Sequence, residues 1–140
     1  MSILSDSVAL TRKLITFDTT NPPGNEGDCA VFVGALLEEA GFRTTFHEFA
    51  HQRTTIVARL GDDASRQLLC LTGHLDTVPL GAAAWQTPAF DGEIAGNRIY
   101  GRGASDMKAG VAAMILAAQN VASAAKGRAN ILLISKWCDR

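Results

Sequence analysis

Apolar residues recur along this chain in two rhythms, and the switches between them mark its elements. Residues 5–16 suit a short helix, with Ser5 as its cap and Val8, Leu14 and Ile15 facing inward. The run Asn21-Pro22-Pro23-Gly24-Asn25 breaks the chain, since two prolines and a glycine cannot continue a helix. A second helix is expected over 28–40, where Cys29, Val33, Leu36 and Leu37 fall at helical spacing and Gly41 supplies a stop. Two strands follow, 44–49 and 55–60, rich in β-branched and aromatic residues. After the turn Gly61-Asp62-Asp63, Leu68–Leu71 reads as a buried core strand. A Gly/Pro-marked excursion over 79–97 leads to Arg98-Ile99-Tyr100. An alanine-rich helix spans 109–125, and Ile131–Ile134 forms another buried strand. Helices alternating with apolar strands predict an α/β sheet with helices on both faces. In such sheets ligands gather at the carboxyl ends of the strands.

Composition narrows the function classes. A hydrophobic share of 47% with only 19% charged residues is that of a folded globular chain rather than a disordered one. The net charge of −1 gives no general attraction to nucleic acid or anionic membranes, so neither is expected as a partner. No apolar stretch reaches the roughly 18 residues a bilayer span needs, and residues 1–6 lack the look of a signal peptide. Cys29, Cys70 and Cys138 are odd in number and share no metal-type spacing. Two of them sit in apolar patterns and read as small core residues, which suits a reducing, cytoplasmic compartment.

Two stretches carry chemistry. Thr72-Gly73-His74-Leu75-Asp76-Thr77-Val78-Pro79 directly follows the apolar strand, so His74 and Asp76 stand where a ligand would sit. Residues i and i+2 of extended chain point the same way, about 7 Å apart. Neutral imidazole binds zinc-like metals, and a neighbouring carboxylate can fix its tautomer. The alternative is a polar strand-end pair that merely satisfies hydrogen bonds. The second stretch, Tyr100-Gly101-Arg102-Gly103-Ala104-Ser105-Asp106-Met107-Lys108, is glycine-rich and leads into a helix. It fails as a dinucleotide fingerprint, because Asp106 replaces the third glycine and would repel a pyrophosphate at the helix start. Ser105 has no GxSxG setting for nucleophilic catalysis. Asp106 is therefore a helix cap or a ligand. As a ligand, its two oxygens could bridge two ions about 3.5–4 Å apart.

Taken with Trp85, Pro88-Ala89-Phe90, Asp91-Gly92 and the Asn21–Glu26 turn, the two stretches resemble the di-zinc aminoacylase and carboxypeptidase family. This is the family of acetylornithine deacetylase and succinyl-diaminopimelate desuccinylase. The likeness runs from the first helix to about Ser135. It implies an incomplete three-layer α/β/α catalytic domain with a mixed sheet, spanning residues 1–140 without the family's lid or dimerisation domain. It also implies two Zn2+ ions per site in the complete family, with Co2+ or Mn2+ as alternatives. On that resemblance His74 is a ligand to one zinc and Asp76 the catalytic carboxylate that clamps its imidazole. Asp106 is the bridge between the ions, followed by a cis peptide.

The resemblance stops after Ile131–Ser135. There the family has a glutamate pair, general base and zinc ligand, whereas this chain reads Lys136-Trp137-Cys138-Asp139-Arg140. Asp139 maps onto neither glutamate. A catalytic zinc takes three protein ligands plus water, and His74 with Asp106 makes two. The expectation is a truncated, metal-dependent amidohydrolase or peptidase-type domain for N-acyl amino acids or small peptides, inactive alone and prone to self-association through exposed sheet edge. The competing expectation is a non-catalytic fragment that binds at most one metal or a protein partner. His47 and His51 read as surface or packing residues, and Trp85 and Phe90 as pocket wall or core.

Overall fold

The computed structural model describes residues 6–125 and 127–136. In chain order the elements are helix α1 (Ser7–Ile15), helix α2 (Gly27–Glu39), strands β1 (Arg43–Ala50), β2 (Arg53–Leu60), β3 (Leu69–His74), β4 (Glu93–Ala95) and β5 (Arg98–Tyr100), helix α3 (Ala109–Ala124) and strand β6 (Ile131–Lys136). A single irregular turn, Ala104–Lys108, feeds α3. The Asp6 carboxylate caps α1 by accepting from Val8 N at 3.0 Å. The expected cap, Ser5, lies outside the described residues, as do Trp137, Cys138, Asp139 and Arg140. Gly41, at φ +89°, ends α2 in the left-handed conformation that other residues avoid.

The main sheet runs β1-β2-β6-β3. β1 pairs antiparallel with β2, and β2 with β6, whereas β3 lies parallel to β6. The sheet is therefore mixed, as expected. One hydrophobic cluster joins Leu10 and Leu14 of α1, Val33 and Leu37 of α2, and Val111 and Ile115 of α3 to Ile56, Ala58, Ile131 and Leu133 of the sheet. Ala58 lies opposite Leu133, so these strand residues share a face, and all three helices cover it. The opposite face, with Val57, Leu132 and Ile134, is half-buried. Of the three layers expected, the described residues form two. α3 is the central helix of that layer. Its alanines permit close approach, and the Gln119 side chain ties it to α2 by donating to the Leu36 carbonyl at 2.9 Å.

Three local expectations are corrected. The Leu68–Leu71 segment is an edge strand and not a buried one. Leu68 is 41% exposed, Leu69 53%, and Cys70 is exposed as well. Among the described residues β3 pairs with β6 alone. An apolar run does not distinguish these cases, and of the two cysteines read as core residues Cys29 alone is buried. Val8 is exposed because it sits in the first turn of α1 and faces a shallow cleft beside Ile94 and Ile99. The excursion over 79–97 also contains a strand, Glu93–Ala95, which pairs with Arg98–Tyr100 in a small hairpin.

Candidate metal centre

β3 and β6 end side by side, and the site lies where they end. His74 is the last residue of β3 and pairs in register with Lys136. Beyond it Leu75 N still donates to the Lys136 carbonyl at 2.9 Å, so the chain leaves the sheet in a fixed direction. The segment after α1 then braces it from the other side. Thr19 Oγ1 donates to the Leu75 carbonyl at 2.7 Å, Thr77 N to the Thr19 carbonyl at 2.9 Å, and Asn21 N to the Thr77 carbonyl at 2.8 Å. These bonds satisfy the backbone of a buried non-strand segment, which otherwise costs about 1–3 kcal/mol per orphaned group.

His74 and Asp76 do come together. The His74 Nδ1 lies 3.0 Å from the Asp76 carbonyl oxygen and 3.3 Å from Asp76 Oδ1. The Asp76 carboxylate is buried, and its Oδ2 accepts from Asn21 Nδ2 at 3.1 Å. Two acceptors thus face Nδ1, and a cation on Nε2 would leave the proton of the neutral ring there. His74 Nε2 points the other way and lies 2.9 Å from Asp106 Oδ1. Two groups 32 residues apart thus meet at one point, as the sequence required of a shared cation. Asp106 does not cap α3, whose N-terminus has no side-chain cap. Its side chain is 63% exposed, beside the half-buried His74 and the buried Asp76. The peptide after it, Asp106–Met107, is cis.

The turn bearing Asp106 is held by its glycines and its lysine. Gly103 adopts φ +81°, and a Cβ there would lie 2.5 Å from Thr77 Cγ2. Lys108 is fully buried, and its Nζ donates to the Phe17 carbonyl at 2.7 Å. Burial pushes the Lys108 ammonium below its usual range, opposed by Cys29 and Asp18. Burial likewise pushes the neighbouring Cys29 thiol up to about 11. Next to the turn lies a cleft of about 330 Å³ lined by Val78, Trp85, Tyr100, Arg102 and Asp106. Trp85 is therefore pocket wall. Its indole donates to the Leu80 carbonyl at 3.2 Å, and the Arg102 guanidinium stacks 5.0 Å from its ring centre. His47 and His51 are surface residues.

Several residues of this neighbourhood had no signal in the local pattern. Asn21 and Glu26 fell in a turn, and Arg53 lay between the two expected strands 44–49 and 55–60. Lys108 stood inside a recognised motif, but a lysine is ordinarily an exposed residue. Glu26 is fully buried against Arg53 at 3.3 Å, and burial raises its carboxyl above the usual range despite its own backbone N–H and the Arg53 charge.

An imidazole nitrogen and a carboxylate oxygen converging in this way fit a divalent cation of the zinc type. Their chemistry fits, and their number is two. Among the described residues no group of three or more His, Cys, Asp or Glu side chains forms a metal-holding cluster.

Known proteins share this mixed α/β fold. Over 94% of its length the chain superposes on an M20 family metallo-carboxypeptidase from Sulfolobus solfataricus, with a TM-score of 0.79 at 21% identity and 30% of that chain covered. Human carnosine dipeptidase 1 follows with a TM-score of 0.75 at 22% identity, over 95% of this chain and 32% of that one. Residues 70–136 match the model of the peptidase family M20/M25/M40. It is 44% identical over 117 residues to succinyl-diaminopimelate desuccinylase of Rhodospirillum centenum, covering 80% of this chain and 29% of that protein. Against the desuccinylase of Rhodopseudomonas palustris the figure is 38% over 133 residues, covering 91% of this chain and 33% of the relative. The chain thus spans about a third of the length of the curated relatives it matches. No helix among the described residues is long and apolar enough to cross a membrane.

Proposed function

We propose that this chain is the N-terminal portion of a cytoplasmic, metal-dependent amidohydrolase that cleaves the amide of an N-acyl amino acid or small peptide. The observation that carries the reading is the approach of His74 Nε2 to Asp106 Oδ1 at 2.9 Å, with Asp76 behind the ring. His74 and Asp106 would hold the cation, Zn2+ first and Co2+ or Mn2+ as substitutes, and Asp106 has a second oxygen for another ion. When bound, such a cation supplies Lewis-acid polarisation of an amide carbonyl and acidifies water. The chain's own residues do the rest. Asp76 orients His74, the Lys108–Phe17 bond anchors the Asp106 turn, and the Trp85–Arg102 wall flanks the cleft where a small acylated substrate fits. The desuccinylase relatives favour the N-acyl amino acid class, and the same likeness suggests a role in amino-acid biosynthesis.

With two donors in place, the 140-residue chain alone binds divalent metal weakly and does not turn over substrate. Its open β3 edge, with Leu68 and Leu69 exposed, favours self-association. Co2+ uptake followed by visible absorption tests the centre. The expected result is weak binding in the native chain that disappears in His74→Ala and in Asp106→Asn. Uptake unaffected by either substitution sinks the reading.

A further inference from the structure

The Asn21–Glu26 turn and the β1–β2 hairpin meet beside the metal centre, and neither is explained by the ligands themselves. Glu26 N and Gly27 N both donate to the Gln52 carbonyl, at 2.8 and 3.0 Å. Through this junction runs the Arg53 side chain, whose Nε lies 3.3 Å from the buried Glu26 Oε2. Its Nη1 reaches the Asn21 Oδ1 and the Pro23 carbonyl, each at 3.4 Å. Gly24 makes room for it: buried and at φ +88°, it would place any Cβ 2.2 Å from Arg53 Cδ. A turn built so closely around one guanidinium implies that the guanidinium's position matters.

The effect passes through Asn21. An amide has one end that accepts and one that donates. With the Arg53 cation on its oxygen, the Asn21 NH2 faces Asp76 Oδ2 at 3.1 Å. The reversed amide would set NH2 against guanidinium and oxygen against carboxylate, two repulsions at once. Asp76, held by one oxygen, presents the other to His74 Nδ1 at 3.3 Å.

We propose that Arg53 is a positioning residue for the metal centre: clamped by Glu26, it fixes the Asn21 amide, Asn21 fixes the Asp76 carboxylate, and Asp76 holds His74 with Nδ1 protonated and Nε2 toward Asp106. The consequence for metal affinity rests on the function proposed above, but the ordering of the His74 ring does not. Arginine suits the task because its planar fork addresses Glu26 and Asn21 together, which a lysine ammonium cannot do.

The test uses the metal-free, 15N-labelled 140-residue chain, with the His74 ring nitrogens and their protons observed by NMR. Native chain is expected to show one ordered ring with a slowly exchanging Nδ1–H proton. The double variant Glu26→Leu/Arg53→Met removes both buried charges without leaving one unpaired. It is expected to lose that protection and, on Zn2+ titration, to bind about tenfold more weakly, the low end for loss of a group that supports a ligand. Asn21→Leu should give the same change, and adding it to the double variant should cost nothing further. Arg53→Lys keeps the charge beside Glu26 and the fold with it, and it too should release the ring. Should the double variant fail to fold, Arg53→Lys and Asn21→Leu carry the test. Ring signals unchanged in the folded variants, or losses that add, overturn the proposal. A native chain that takes up no Zn2+ overturns the metal-centre reading instead, and the ring signals still decide the role of Arg53.

Discussion

Replacing Gly103 by alanine isolates what the Asp106 turn requires of its backbone. Two costs arise at this position. Holding an L-residue in the left-handed region costs roughly 1–2 kcal/mol, and Gly103 sits there at φ +81°. The new Cβ would also lie 2.5 Å from Thr77 Cγ2, far inside contact distance. Thr77 cannot yield. It is buried and β-branched, its N–H is bonded to Thr19, and its carbonyl is bonded to Asn21. Overpacking of this kind costs about 1–3 kcal/mol, so the total is about 2–5 kcal/mol. Gly96 provides the control, with φ +59° and nothing within 4 Å of a Cβ. Gly96→Ala carries the conformational cost alone, and the unfolded-state effect of Gly→Ala is common to both variants. Urea unfolding followed by circular dichroism should therefore place Gly103→Ala about 1–3 kcal/mol below Gly96→Ala, given equal slopes. Equal midpoints for the two variants would show that the turn does not press on Thr77, and the account of how Asp106 is held would fail.

Two further predictions concern burial and exposure. Because burial lowers the Lys108 pKa beneath its ordinary 10.5, the unfolded chain binds more protons than the folded one in the window just under 10.5. Stability of the native chain relative to Lys108→Met should therefore rise as pH climbs through the lowered pKa towards 10.5. A difference that stays flat with pH across that window would mean the ammonium is not desolvated. At the sheet edge, Leu69→Lys places a charge on the edge strand β3. Sedimentation across a concentration series should show association in the native chain and its loss in the variant, whereas identical profiles would locate any association elsewhere.

How much of this was legible in the sequence follows from the range of the forces involved. α2 and α3 and the strands β1, β2 and β6 were visible because their apolar spacing, β-branched content and terminating glycines act within a few residues. Leu68–Leu71 was recognised as a strand, but its exposure was not, since burial depends on which strand pairs with it. The candidate pair was legible for a chemical reason. His74 and Asp106 stand where neither a core strand nor an ordinary helix start needs them, and the structure brings them to 2.9 Å. Their support was hidden because it is tertiary. Lys108 joins a turn to Phe17, 91 residues away, and Arg53 reaches Asn21 across 32 residues, distances over which no local pattern carries information.

The same division separates the two candidate donors. A metal ligand is useful only when its tautomer and direction are fixed before the ion arrives. In this chain that preorganisation is already present around His74. The ring is gripped on its Nδ1 side by Asp76, Asp76 is held by Asn21, and both lie among buried groups. Asp106 is different, exposed on a turn anchored by Gly103 and Lys108. The two donors therefore contribute unequally. Loss of the Asp106 carboxylate should abolish metal uptake while leaving the His74 ring ordered, whereas loss of Asp76 should disorder the ring and weaken uptake together. Comparing Asp106→Asn with Asp76→Ala by ring NMR and Co2+ titration separates a preformed ligand from one that the cation itself recruits. Equal disorder of His74 in both variants would mean that the ring is held by Asp106 and not by the buried network behind it.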